Sequence, residues 1–241
     1  MLTINYDILG IHDGDVVLDA GCGEGRHSIK AYQSAHCTVC ALDIEQKNAV
    51  MTKYLLTLLD EENGNHGKWL SLRGNAVSMP FPNDCFDKVI CSEVLEHIPD
   101  DRQVIHEFRR ILKSDGVLAV SVPSYFSETI YWTLSRQYYN QPGGHIRKYR
   151  LKQLISILRD SGFDVFNIHH EHALHVPYWF LRCLFGINRE KAFIPSLYHR
   201  FLVWDIETGA KPVRFLEKAL NPAFGKSVVL YARKNMTTGG Q

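Results

Sequence analysis

The chain has 241 residues, which suits one α/β domain with an insertion or at most two small domains. Apolar residues at 45% and charged residues at 22% are ordinary globular values, and the formal net charge of +1 provides no field that would favour nucleic acid or an anionic membrane. The six cysteines lie scattered, mostly in apolar strand-like runs, as buried reduced thiols do and disulfide frameworks do not. Met1 to Asp7 shows no basic-then-apolar leader pattern, and no apolar run approaches the ~20 residues that span a bilayer, so a cytoplasmic protein is expected. Residues 235–241 read as a disordered tail.

In chain order, strand-like and helix-like patterns alternate. Strands are predicted at Val16 to Asp19, Cys37 to Asp43, Trp69 to Arg73, Phe86 to Ser92 and Gly116 to Val122. Helices are predicted at Gly25 to Ser34, at Lys47 to Leu59, and from a cap at Asp100 or Asp101 to Leu112. Pro123 to Asn140 is aromatic and helical in pattern, and Pro142-Gly143-Gly144 forces a turn. Leu151 to Ser161 reads as an amphipathic helix ending at Gly162. A sixth strand covers Phe163 to Glu171, and Ala173 to Pro212 is an insertion of bulky residues. A last helix, Val213 to Leu220, is closed by Asn221-Pro222 and followed by a strand at Ser227 to Arg233. Strands alternating with helices imply a parallel sheet covered on both faces, with a ligand crevice beside strands 1 and 4.

The most informative stretch is Val16-Val17-Leu18-Asp19-Ala20-Gly21-Cys22-Gly23-Glu24-Gly25, a buried strand running into a glycine turn. Gly21 and Gly23 fit the start of a dinucleotide fingerprint, but its third glycine should stand at position 26, which is Arg26. Asp19 would repel a pyrophosphate and attract an amine or a sulfonium. The ligand implied is cationic at this end and carries no phosphate there. S-adenosylmethionine (SAM) fits that description.

Five segments together resemble the class I SAM-dependent methyltransferases (type 11-like domain), over about Asp7 to Lys234. Asp19 to Gly25 is similar to D/E-x-G-x-G-x-G, and Asp43 to the acid that ends strand 2. Gly74-Asn75-Ala76-Val77-Ser78-Met79-Pro80-Phe81 is similar to G-D-A-x-x-L-P-F. Phe86-Asp87-Lys88-Val89 with Glu93-Val94-Leu95-Glu96-His97 is similar to F-D-x-V…E-V-L-E-H, and Arg109 to Gly116 to R-x-L-K-P-G-G. The resemblance implies an α/β Rossmann-like fold with a seven-stranded, mostly parallel sheet in the order 3-2-1-4-5-7-6. Strand 7 would be antiparallel, helices would cover both faces, and an aromatic-rich insertion would form the lid. The whole chain, 1–241, would then be one methyltransferase domain, with residues 123–150 and 173–212 as lid and substrate-binding insertions. The short segment before strand 1 leaves the lid to those insertions.

The cofactor-binding residues implied are Asp19, Gly21, Cys22, Gly23, Asp43, Ile44, Asn75, Ala76 and Ser92. Asp43 would hold the ribose hydroxyls, and the carbonyl of Ser92 the methionine ammonium. Asn75 stands where the family has an adenine-contacting acid, and its amide still offers an acceptor carbonyl. His97 is open to two readings, a hydrogen bond to loop backbone or a general base. Glu93, directly after strand 4, is better placed than Glu96 to line the pocket. In Gly143-Gly144-His145-Ile146-Arg147-Lys148-Tyr149, which resembles a G-H-x-R-x-Y/F segment of relatives, His145 is the first choice for a base, the alternative being loop-closing hydrogen bonds. Arg147, Tyr149 and Tyr125 are candidate substrate contacts.

No metal is expected. His169-His170-Glu171-His172 with His175 lacks a cysteine or second acid cluster to complete a set, and Cys37-Thr38-Val39-Cys40 falls on a strand where positions three apart face opposite sides. Val176 to Ile187 is greasy enough for core cover, pocket lining or an interfacial helix touching a membrane surface. No basic stripe or nucleic-acid module is present. The expected activity is methyl transfer, O-methylation favoured, to a small-molecule or lipid- or sugar-linked acceptor. The alternatives are a SAM-binding module of this fold without transfer and, disfavoured by Asp19, an NAD-linked dehydrogenase.

Overall fold

The computed structural model describes residues 2–63, 67–141, 143–187 and 192–235. The expectations for Pro142 and for residues 236–241 lie outside this set. After a single helical turn α1 (Tyr6–Leu9) come β1 (Val16–Ala20), α2 (Arg26–Ser34), β2 (Thr38–Asp43), α3 (Gln46–Asn63), β3 (Lys68–Arg73) and β4 (Phe86–Ser92). A short 3-10 turn at Leu95–His97 leads to α4 (Asp101–Ile111) and β5 (Leu112–Pro123). The second half holds α5 (Tyr125–Leu134), α6 (Arg136–Tyr139), α7 (Leu151–Asp160), β6 (Phe163–Glu171), α8 (His175–Phe185), α9 (Phe193–Thr208), α10 (Lys211–Phe224) and β7 (Ser227–Lys234).

The seven strands form one sheet in the order β3-β2-β1-β4-β5-β7-β6. The first five pair in parallel, and β7 runs antiparallel to both β5 and β6. This is the Rossmann-like arrangement the sequence implied. Because side chains alternate along a strand, the sheet builds two cores. Leu18, Val89, Leu118 and Leu230 pack with Val104, Phe108 and Ile111 of α4 and Leu154 and Leu158 of α7. Val17, Ile90, Ala119 and Tyr231 face the other way, against Leu9 of α1, Tyr32 of α2 and Leu56 of α3. Both faces are covered, so β1 reads as an unbroken apolar run rather than an alternating one. Fully burying a Leu or Val is worth ~1.5–3 kcal/mol.

Several boundaries moved for local reasons. Asp100 caps α4, its Oδ1 accepting from the Gln103 N–H at 3.1 Å. β5 starts at Leu112, not Gly116, because Leu112 already pairs with Phe86; the register then shifts, with Asp115 in the left-handed region (φ 63°). α10 outruns its predicted limits at both ends and carries Pro222 inside its last turn. There Asn221 ties the helix down, accepting from the Ala173 N–H at 3.0 Å and donating to Glu171 at 2.9 Å. The bulky insertion is helical, as α8 and α9. Among the described residues no helix is long and apolar enough to cross a membrane.

Candidate active site

The carboxyl ends of β1, β2 and β4 open onto a cavity of about 430 Å³, lined by Gly21, Leu42, Asp43, Ile44, Gly74 to Val77, Glu93, Val94 and His97 to Pro99. The turn after β1 makes its floor. Gly21 has φ 76°, and a Cβ there would come within 2.4 Å of Val94 Cγ2, so only a bare backbone fits. Asp43, at the end of β2, is held in place from three sides. Its Oδ2 accepts from the Gly23 N–H (2.8 Å), and its Oδ1 from the Glu45 N–H (2.9 Å) and Asn48 Nδ2 (3.1 Å). Asn75 accepts from the Val77 N–H at 3.0 Å, which leaves its NH2 and its second carbonyl lone pair for a ligand. Ile44 is 58% exposed over this cavity, an apolar surface with nothing of the protein on it.

Asp19 lies under this floor rather than in it. It is 1% exposed and accepts from Ser28 Oγ at 2.6 Å. Burial pushes its pKa up to about 6, with Asp43 adding to the rise and Ser28 and Arg26 opposing it. Cys22 also faces inward: its amide donates to Leu42, its thiol approaches Thr52, and burial raises it to about 12, so this sulfur is inert. Ser92 is buried, its hydroxyl 3.0 Å from that of Ser121.

His97 lines the wall between this cavity and a second one of about 210 Å³. The second is lined by Tyr138, Gln141, Gly143, Gly144, His145, Trp179 and Lys226 as well. His97 Nδ1 is 3.2 Å from the Gly144 carbonyl, to which it donates, leaving Nε2 unprotonated. Burial lowers its pKa, and the ring of His145, 4.9 Å away, lowers it further. His145 itself is oriented by Glu128, with Nδ1 2.8 Å from Oε2. Glu128 also accepts from Trp132 Nε1 (2.9 Å) and the Tyr138 hydroxyl (2.8 Å). Although burial works to raise it, these bonds and the charge on Lys226 bring its pKa below the usual carboxylate value. Glu93, in the left-handed region (φ 58°), reaches Ser121 Oγ at 3.2 Å and Lys226 Nζ at 3.8 Å. Glu96 is fully buried, and neither of its carboxylate oxygens has a hydrogen-bond partner.

The geometry redirects three expected substrate contacts. The Arg147 guanidinium meets Asp101 at 2.5 Å and the carbonyls of Ile98 and Pro99. The Tyr149 hydroxyl bonds the same carboxylate at 2.5 Å, and its ring is buried. Both side chains brace the active-site loop from behind. Tyr125 accepts from Arg150 and lines a separate cavity with Ser124, Phe126 and His170. Sequence reasoning missed Glu128 and Lys226. Glu128 had one signal, being the lone acid in the aromatic stretch from Tyr125 to Leu134; Lys226 had none.

A family profile described as "Methyltransferase domain" matches residues 7–168, about two thirds of the chain. The chain belongs to this methyltransferase-domain family. A sterol 24-C-methyltransferase of Gibberella zeae is 28% identical over 169 residues, which are 68% of this chain and 42% of that protein. A ubiquinone biosynthesis O-methyltransferase of Nitrosomonas europaea is 33% identical over 117 residues, 48% of this chain and 47% of that one. The chain thus spans about half the length or less of these relatives. Among solved structures, a SAM-dependent methyltransferase from Methanosarcina mazei is similar in fold (TM-score 0.63, 16% identity, 98% of this chain and 100% of that one). The [4+2]-cyclase SpnF is similar as well (TM-score 0.61, 19% identity, 96% and 80%).

The cofactor of the methyltransferase domain is SAM, and the first cavity suits it. An adenosyl group needs a diol acceptor, an apolar surface for the base and a backbone that can be approached closely. Asp43, Ile44 and the turn at Gly21 supply these in that order.

Proposed function

We propose that this chain transfers the methyl group of SAM to an oxygen nucleophile on an apolar, small-molecule or lipid-linked acceptor. One observation carries the reading: His97 is shared by a cavity shaped for the adenosyl group and by a second cavity that holds an imidazole aligned by a buried carboxylate. Asp43 would take the ribose hydroxyls, Asn75 and Ala76 the adenine edge, and the loop from Ser92 the amino-acid end. When bound, SAM supplies a methyl group on a sulfonium, a leaving group that needs no further activation. What remains for the protein is alignment, exclusion of water and removal of a proton.

His145 is the base in this scheme. Glu128 fixes Nδ1 as the protonated nitrogen, so the Nε2 lone pair is available to an acceptor hydroxyl, and the carboxylate stabilises the imidazolium that results. Tyr138 and Trp179 give the second cavity aromatic walls. The acceptor's apolar character also fits the outer surface, where Phe193 and Phe215 are 79% and 78% exposed and Leu184, Leu197 and Trp204 are exposed too. These residues sit on α8, α9 and α10, and we assign them a reversible contact with lipid.

The test is transfer of radiolabelled methyl from SAM to a panel of apolar phenols, hydroxylated lipids and their polar counterparts. Label in an apolar hydroxyl acceptor, lost in His145→Ala, is the expected result. SAM binding with no label in any acceptor would favour the second reading, a SAM-binding protein with other chemistry, for which the fold likeness to a [4+2]-cyclase gives precedent. Sedimentation with phosphatidylcholine vesicles, reduced in Phe193→Ser/Phe215→Ser, checks the lipid contact.

A further inference from the structure

The turn that follows β6 and the middle of α10 bring together three side chains of a different kind. One ring nitrogen each of His172 and His175 and one carboxylate oxygen of Glu217 all lie within 4.8 Å of one another. None of the three lines either cavity described above. His172 is held in the left-handed region at φ 68°, an unfavourable conformation for a residue with a side chain. Its Nε2 is 3.2 Å from Thr3 Oγ1, the sort of outer bond that fixes the tautomer and direction of a ligating imidazole.

The polar atoms here lack what they need. Glu217 is 6% exposed, and its Oε1 has no partner; nor does the buried Nδ1 of His175. Asp205, 2% exposed, also leaves Oδ1 unpaired. One guanidinium, Arg214, serves both Asp205 (3.4 Å) and Glu217 (3.2 Å).

We propose that His172, His175 and Glu217 form a site for a divalent transition-metal ion of the zinc type, with the fourth position left to water. Two imidazoles and one carboxylate are a borderline-soft donor set that excludes magnesium and calcium as natural occupants. Tetrahedral zinc holds its ligands about 3.3 Å apart, and the donor atoms here already lie within 4.8 Å of one another. The ion ties the β6–α8 turn to α10. Through α8 it steadies Trp179, a wall of the acceptor cavity.

The experiment uses the full chain, stripped with a chelator and titrated with Zn²⁺ against a chromophoric competitor, and with Co²⁺ for its visible spectrum. One equivalent should bind, with a four-coordinate Co²⁺ spectrum and a rise in melting temperature. Glu217→Gln and His175→Ala should each weaken binding by about 100-fold and abolish the thermal shift. Glu217→Gln removes a buried charge whose Oε1 has no partner while keeping an acceptor for Arg214, so its metal-free form should melt no lower than the parent. A His97→Ala/His145→Ala variant should keep the ion, which separates this site from the neighbouring Glu96, His97 and His145 group. The proposal is overturned by a parent that binds no stoichiometric ion. Binding untouched by Glu217→Gln and His175→Ala, or lost with His97 and His145 instead, overturns it equally.

Discussion

Nδ1 of His145 lies 2.8 Å from Oε2 of Glu128, a carboxylate only 1% exposed that also receives the Tyr138 hydroxyl and the Trp132 indole N–H. In the proposed scheme Glu128 acts on the acceptor only through His145, as a positioning residue. Glu128→Gln should lower kcat by about 100-fold, with little change in the affinity for SAM. Methylation rates, with SAM affinity from calorimetry, check this; an equal loss of kcat and cofactor affinity would mean that Glu128 merely supports the fold.

Asp19 should cost stability at neutral pH. Below pH 3.8 its carboxyl is protonated in folded and unfolded chains alike, so it contributes nothing. Between 3.8 and about 6 the unfolded chain has released the proton while the folded chain retains it, so stability declines as pH rises. Above about 6 the loss is complete, on the order of 3 kcal/mol. Asp19→Asn keeps an acceptor for Ser28 and should raise the melting temperature at pH 8 by several degrees, a gain that vanishes below pH 4. Thermal melts at the two pH values decide the matter.

Gly21→Ala and Gly23→Ala should separate strain from collision. Both glycines have positive φ, 76° and 54°, so alanine at either costs about 1 kcal/mol of backbone strain. Only at Gly21 does the new methyl strike Val94, at 2.4 Å, whereas nothing lies within 4 Å at Gly23. Gly21→Ala should therefore abolish SAM binding and be partly rescued by Val94→Ala. Gly23→Ala should lose about tenfold or less. Equal effects at the two positions would contradict the collision.

Tyr149→Phe should destabilise the chain by about 1–2 kcal/mol, by removing a hydrogen bond to the buried Asp101 carboxylate. The KM for acceptor should stay unchanged, since the hydroxyl faces away from both cavities. A raised KM at unchanged melting temperature would restore the substrate role that the sequence suggested.

The legible parts of this protein were those encoded locally. β4 and β6 run from Phe86 to Ser92 and from Phe163 to Glu171, as their apolar patterns and bounding turns indicate. The cofactor cavity could be read because its glycines and Asp43 close successive strands, each within a few residues of a recognisable turn. The roles of Arg147 and Tyr149 were not legible, because the partner of both is Asp101, more than 40 residues earlier at the start of α4. Glu128 looked like one acid on an aromatic helix, and its burial exists only once His145 folds over it. The His172, His175 and Glu217 group escaped for the same reason: the third ligand lies on α10, beyond any sequence window that contains the histidines.

The seventh strand in chain order is not at the margin of the sheet. β7 lies between β5 and β6, and pairs with both along nearly its whole length. A nascent chain that has emerged only as far as Gly225 therefore holds a five-stranded sheet with β5 unpaired on one side, and a β6 with no strand to join. Trp179 on α8 and Lys226, which line the second cavity, are carried by segments that wait on β7. Synthesis must reach Lys234 before that side can assemble, while the carboxyl ends of β1, β2 and β4 are in place much earlier in the chain.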